Sequence, residues 1–360
     1  PYGDPALRRN RPTLAPPDPG RAGGLLDLDG FFGLHTRLSP LQELFQEKVL
    51  AIVPACGSPD RTLSHFEAMQ TAERGVSDGG QTATGWIARH LNCREPILPS
   101  PLRAVAIAET LPRSLEGNLG ALAIRSLSEY QLRAPEAWNS FPDVLAALYG
   151  AGGDPLSVTG SATLKLLSRI EKLLASPYTP SSGAVYPEGN LGAGLREVAR
   201  LIKADLGLEV AEVDLGGWDS HAAQSALLDP LMDQLARALH AFYTDLDTAR
   251  SRVTLVAMSE FGRRVHENGA AGTDHGQGTV TFVLGSGIRG GRVYGSWPGL
   301  GPEQLDQDGN LRIITDFRQI LGEVVLRRLQ NRNLDAVFPG WAPRFLGLAK
   351  EAAAPGSGPA

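Results

Sequence analysis

The chain of 360 residues holds only two cysteines, Cys56 and Cys93, which excludes a disulfide framework and a cysteine-rich zinc site. One bridge is permitted, and two unpaired thiols are the expected state. Basic charge is not in excess: 34 Lys and Arg stand against 39 Asp and Glu, a formal charge of -5 at pH 7, and there is no basic run. Binding of nucleic acid through phosphate neutralisation therefore lacks support. No uninterrupted apolar stretch approaches the roughly 18 to 20 residues that a membrane helix needs. The P-loop and the Gly-x-Ser-x-Gly elbow are both missing, and with them the markers of P-loop nucleotide hydrolysis and of the common serine hydrolases. The chain opens Pro1-Tyr2-Gly3-Asp4, without Met or a signal segment, as a mature form or a fragment that has lost its start would.

The 42% hydrophobic and 20% charged content is enough for a well-buried core. Ser39-Pro40 ahead of Leu41, Leu44 and Phe45 predicts a short helix, and Val49 to Val53 a buried strand. A helix follows over about 62–73. After a strand at Arg103 to Ala108, the segment of about 109–207 predicts an inserted helical layer. Strands then recur near Leu208 to Leu215, at Val253 to Ala257 and at Thr279 to Leu284, separated by a long helix with Leu227, Leu231, Leu235, Leu239, Phe242 and Leu246. A capped helix begins at Thr315. Strands alternating with helices predict one α/β domain over 1–350, with a mostly parallel central sheet covered on both faces and ligands at the carboxyl ends of its strands. The Gly- and Pro-rich tail, 351–360, is expected to be disordered.

Four segments could carry chemistry. Gly216-Gly217-Trp218-Asp219-Ser220-His221 follows a strand and precedes a helix; on an extended segment Asp219 and His221 point the same way and can reach one divalent ion. Alternatively Asp219 or Ser220 caps the helix and His221 lies in its first turn. Gly272-Thr273-Asp274-His275-Gly276 offers oxygen and nitrogen donors suited to Zn or Mn, or is an ordinary polar loop. In Met258-Ser259-Glu260-Phe261-Gly262-Arg263-Arg264, Glu260 could complete a metal shell and an arginine could hold a phosphate or sulfate oxygen, unless these are solvated loop residues. Ser58 to His65 runs from a strand into a helix start, where Thr62 or Ser64 could be a metal-activated nucleophile or simply a cap, and His65 a ligand, a proton donor or a buried histidine.

These residues resemble a bacterial family of uncharacterised proteins, the domain of unknown function 1501 family, which is grouped with alkaline phosphatases and sulfatases. The resemblance covers most of the chain. It rests on Pro1-Tyr2-Gly3-Asp4, Asp27-Leu28-Asp29-Gly30-Phe31-Phe32-Gly33-Leu34-His35, Gly57 to Arg61 with Ser64-His65-Phe66, Gly217-Trp218-Asp219-Ser220-His221, Ser259-Glu260-Phe261-Gly262-Arg263 and Thr273-Asp274-His275-Gly276. It implies an alkaline-phosphatase-like three-layer sandwich, one or two divalent ions (Zn, Mn or Ca) at the strand tips, and twin-arginine export to the periplasm or cell surface. Family members carry a strand ending in Gly-Gly-x-Asp-Gly ahead of Pro-Tyr-Gly-Asp, whose Asp is the counterpart of a superfamily ligand; this sequence starts after that point. The Cys56-Gly57-Ser58-Pro59-Asp60-Arg61 stretch sets Pro and Arg one place too far on for a formylglycine sulfatase. The expectation is a metal-dependent hydrolase of phosphate or sulfate esters, small-molecule or glycan, with Asp219, His221, Glu260, Asp274 and His275 on metal and Ser64, His65, Arg61 and Arg263 in catalysis. Its rival is a non-catalytic envelope protein that binds a glycan or a partner protein.

Overall fold

A computed structural model describes residues 1–77, 82–95, 100–132 and 140–352. The tail expected to be disordered lies outside the described residues from 353 onward. In chain order the strands are β1 (Leu26–Asp27), β2 (Gly33–Leu34), β3 (Leu50–Gly57), β4 (Ala104–Ile107), β5 (Ala121–Ile124), β6 (Val210–Val213), β7 (Leu255–Ala257), β8 (Thr279–Leu284), β9 (Arg292–Val293) and β10 (Thr315–Asp316). The α-helices are α1 (Leu7–Asn10), α2 (Ser39–Gln46), α3 (His65–Arg74), α4 (Trp86–Asn92), α5 (Phe141–Gly150), α6 (Pro155–Leu174), α7 (Asn190–Lys203), α8 (Gln224–Asp245), α9 (Phe317–Arg327) and α10 (Leu334–Val337).

β3 is apolar from end to end because both its faces are covered. Leu50 and Ile52 join Phe282 and Leu284 of β8 in a core with α2, α7 and α8. The alternate residues Ala51 and Val53 face Val283 and the helices α9 and α10. The strand runs on past the expected Val53, because Pro54 sits beside a bulge. Ala55 takes up a φ of 51 there, and pairing with β8 resumes at Cys56. Both Cys56 and Cys93 are free thiols.

The α/β class holds, but the strands divide into a five-stranded and a three-stranded sheet, beside the small β1–β2 ribbon. In the five-stranded sheet β10 and β9 run parallel to β3, whereas β8 is antiparallel to both β3 and β7. A mostly parallel sheet was the expectation, and the reason for the difference is local. A parallel return needs a crossover of a dozen or more residues, usually a helix. The stretch from β7 to β8 has no helix, only the loop that carries Glu260 to His275, so β8 comes back antiparallel. The second sheet, β5–β4–β6, is wholly parallel. Its β5 falls inside the segment expected to be a helical layer, which among the described residues leaves α5, α6 and α7 as the α-helices there. Thr315 also departs from expectation: it pairs in β10, and the next residue, Asp316, caps α9 by accepting from the Arg318 amide. No helix among the described residues is long and apolar enough to cross a membrane.

Candidate metal centre

Four segments meet at one edge of the sheets: the loop from β3 into α3, the loop after β6, and the two ends of the β7–β8 connection. His275 precedes β8, not follows it. It still reaches the same edge as the other segments because β8 runs antiparallel. The two ends of the β7–β8 loop are laid over each other by an antiparallel bridge between Arg263 and His275, with the Gly262 amide on the Gln277 carbonyl (2.8 Å) and the Gly276 amide on the Gly262 carbonyl (2.9 Å). A side chain on Gly262 would strike the Gly278 carbonyl oxygen at 1.9 Å, so only glycine allows this contact.

Within this frame the Nε2 atoms of three histidines gather on Asp219. His221 Nε2 and His275 Nε2 each lie 3.0 Å from Asp219 Oδ1 and 3.1 Å from each other. His65 Nε2 lies 3.1 Å from His275 Nε2 and 3.4 Å from Asp219 Oδ2. Each histidine uses its other nitrogen to reach an acceptor. His275 Nδ1 donates to the Leu63 carbonyl (2.8 Å), His65 Nδ1 to Glu260 Oε1 (2.6 Å) and His221 Nδ1 to Asp274 Oδ1 (3.0 Å). A carbonyl can only accept, so the proton of neutral His275 is on Nδ1 and its Nε2 lone pair faces the centre. The carboxylate oxygens of Glu260 and Asp274, as acceptors, fix the other two rings in the same way.

The donor set fits a divalent ion. Nitrogen and oxygen ligands about 2.0–2.1 Å from one tetrahedral ion stand about 3.4 Å apart, close to the separations here. His65, Asp219 and His275 each offer one ligand atom, all within 4.8 Å of one another; His221 Nε2 lies beside Asp219 and His275 but outside that group of three.

Burial works against the charge of Asp219, but the hydrogen bond from the Arg263 guanidinium opposes it, and the carboxyl is held well below the usual range. Hydrogen bonds from His221 and Asn268 likewise depress Asp274. The cluster is open to solvent: the side chains of Asp219, His221 and Asp274 are 44%, 47% and 52% exposed.

The structure thus brings together His65, Asp219, His221, Glu260, Asp274, His275 and Arg263. Glu260 and Asp274, grouped with the ligands in the sequence reading, touch the Nδ1 side of the rings. Arg263 contacts Asp219 Oδ1 (2.5 Å) and the Thr273 carbonyl. Ser64 is the residue before α3 and makes no side-chain cap bond. Arg61 is exposed, and its carbonyl accepts from Gln277 Nε2. Neither Asp219 nor Ser220 caps α8, which starts only at Gln224 after Ala223. The sequence reading missed Leu63, Asn268 and Gln224. Gln224 Oε1 accepts from the buried hydroxyls of Thr273 (2.6 Å) and Ser220 (3.2 Å), and so joins the two loops. A backbone carbonyl such as that of Leu63 leaves no trace in residue type, whereas Asn268-Gly269 carries a turn signal.

Residues 193–329 match a family model described as a protein of unknown function (DUF1501). That span includes Asp219, His221, Glu260, Arg263, Asp274 and His275, and leaves out Arg61, Ser64 and His65. No curated protein and no solved structure matches the chain.

Proposed function

We propose that the chain is a divalent-metal-dependent hydrolase of phosphate or sulfate esters on an alkaline-phosphatase-like sandwich, with His65, Asp219, His221 and His275 as the metal ligands. The reading rests on one observation: three imidazole Nε2 atoms meet a carboxylate while the opposite nitrogen of each ring is held by an acceptor. Imidazole lone pairs gathered on a carboxylate are a donor set that suits a divalent ion, with Arg263 offsetting part of the carboxylate charge. A bound Zn or Mn ion would supply Lewis-acid polarisation of the ester and a nucleophile at neutral pH, whereas the nitrogen-rich donors do not fit Ca, which takes oxygen ligands.

The chain's own residues supply the rest. Glu260, Asp274 and the Leu63 carbonyl hold the ring tautomers, and Arg263 orients Asp219. The Ser64 hydroxyl, one residue from His65 and making no cap bond, is available as a nucleophile. Because the Arg263 guanidinium is already engaged, the exposed Arg61 and Arg264 are the side chains to steady the non-bridging oxygens of the substrate.

The test is elemental analysis of the purified protein with hydrolysis of aryl phosphate and aryl sulfate. Stoichiometric metal and turnover that a chelator removes are expected, and His275→Ala should lose both. Unchanged metal content in that variant overturns the ligand assignment. One observation favours the rival, a non-catalytic protein that binds a partner: α5 and α6 leave Val144, Leu148, Leu156 and Val158 exposed, by 65% and 69% for the two leucines. Metal-free protein without turnover supports that rival.

A further inference from the structure

We propose that Asn268 is a positioning residue that locks the His221–Asp274 pair in place, an inference that rests on the metal reading above. Both members of this pair are about half exposed, and a solvent-exposed ion pair is loosely held by its own attraction. Asn268 supplies the missing constraint. Its Nδ2 donates to the His221 carbonyl (2.9 Å) and to Asp274 Oδ1 (3.2 Å), the atom that also receives His221 Nδ1. Its Oδ1 accepts from the amides of Ala270 (3.0 Å) and Gly272 (3.1 Å). A carboxamide has two N–H donors and one oxygen with two lone pairs, so the hydrogen-bonding capacity of Asn268 is fully used.

The surroundings explain why this one side chain matters. After Asn268 the loop continues Gly269-Ala270-Ala271-Gly272, which has no other polar side chain to hold it. Its backbone is laced to the His221 segment by the Ala223 amide on the Ala270 carbonyl (3.0 Å), the Gln224 amide on the Ala271 carbonyl (2.8 Å) and the Thr273 amide on the Ser220 carbonyl (3.2 Å). Just before Asn268, Glu267 accepts from Thr13 and Leu14, which ties the other end to the N-terminal segment. Asn268 therefore couples two ligand-bearing loops. It fixes the backbone of His221 and the orientation of its ring through a single amide group.

Two substitutions separate this role from simple loop closure. Asn268→Asp keeps acceptors for Ala270 and Gly272 but has no donor for His221 and Asp274; Asn268→Ala loses all four bonds. Zinc affinity of the full chain would be measured by competition with a chromogenic chelator, and the His221 tautomer by side-chain nitrogen NMR on metal-free protein. Both variants should bind zinc about 10- to 100-fold more weakly, as loss of outer partners of metal-bound histidines does. Metal-free Asn268→Asp should keep its melting temperature while the Nδ1–H tautomer of His221 loses population and those of His65 and His275 stay. Parental zinc affinity in Asn268→Asp, with an unchanged His221 tautomer, overturns the proposal. A parent that takes up no zinc overturns the metal reading alone, because the tautomer in metal-free protein still decides whether Asn268 positions His221.

Discussion

Arg263 and Arg264 are neighbours of the same residue type, and only their surroundings separate them. Arg263 is largely buried, with its guanidinium against Asp219 and the Thr273 carbonyl, while Arg264 is exposed close enough to Asp274 to help depress its carboxyl. Removing Arg263 leaves Asp219 without its charged partner and frees the loop that carries His275. A hydrogen bond to a charged group is worth about 1.5–3 kcal/mol, so Arg263→Ala should weaken metal binding by about 10- to 100-fold. Arg264→Ala should leave metal content at the parental level and raise KM for an aryl phosphate about tenfold. Equilibrium dialysis of both variants beside steady-state kinetics checks the division, and equal metal loss in the two would contradict it.

At the level of elements, what the sequence announces is what local chemistry decides. β8 has the expected bounds because a run of β-branched and apolar residues is closed by glycines, and α2 begins at the Ser39-Pro40 signal. Strand direction was not legible, because it depends on whether the intervening segment can form a crossover helix, and the β7–β8 loop shows its role only after folding. Asp219, His221, Asp274 and His275 were legible as donors. That Asp274, like Glu260, meets the Nδ1 side of a ring and not the centre was not legible, since residue type does not tell which side of an imidazole a carboxylate meets. The buried Glu323 of α9 is a similar case. It accepts from the amides of Leu346 (2.9 Å), Gly347 (2.9 Å) and Ala349 (2.8 Å), and so docks the C-terminal segment on the helix. Glu323→Ala strands three amides and should cost about 3 kcal/mol or more in urea unfolding, whereas a loss within 0.5 kcal/mol would mean the segment is held by its apolar contacts alone. At the site, a Cβ on Gly272 would lie 2.3 Å from the His221 carbonyl carbon. Gly272→Ala should therefore lose metal uptake while the far-UV circular dichroism stays at the parental value.

Across the whole molecule, two carboxylates set opposite limits on stability. Burial works against the charge of Glu209, but hydrogen bonds from His90 and Arg103 outweigh it and bring the carboxyl down to about 2. A carboxyl lowered in the folded state contributes stability above its unfolded value near 4.5, and that contribution disappears as pH falls towards 2. Glu212 goes the other way. Burial first, then the charges of Asp214 and Glu73, raise it to about 7 against the opposing hydrogen bond from Ser114. Here the folded state binds the extra proton, so stability falls as pH rises from about 4.5 through 7, and the full cost is present above that. One pKa unit corresponds to about 1.4 kcal/mol, which puts the cost at up to about 3 kcal/mol. Glu212→Gln removes the charge and keeps a group that can still accept from Ser114. It should raise the unfolding free energy at pH 8 by up to about 3 kcal/mol and leave it near the parental value at pH 4. Urea titrations at the two pH values measure this directly: a gain of equal size at both would show that packing, not charge, limits the site, and no gain at pH 8 would show that Glu212 is ionised without penalty in the fold.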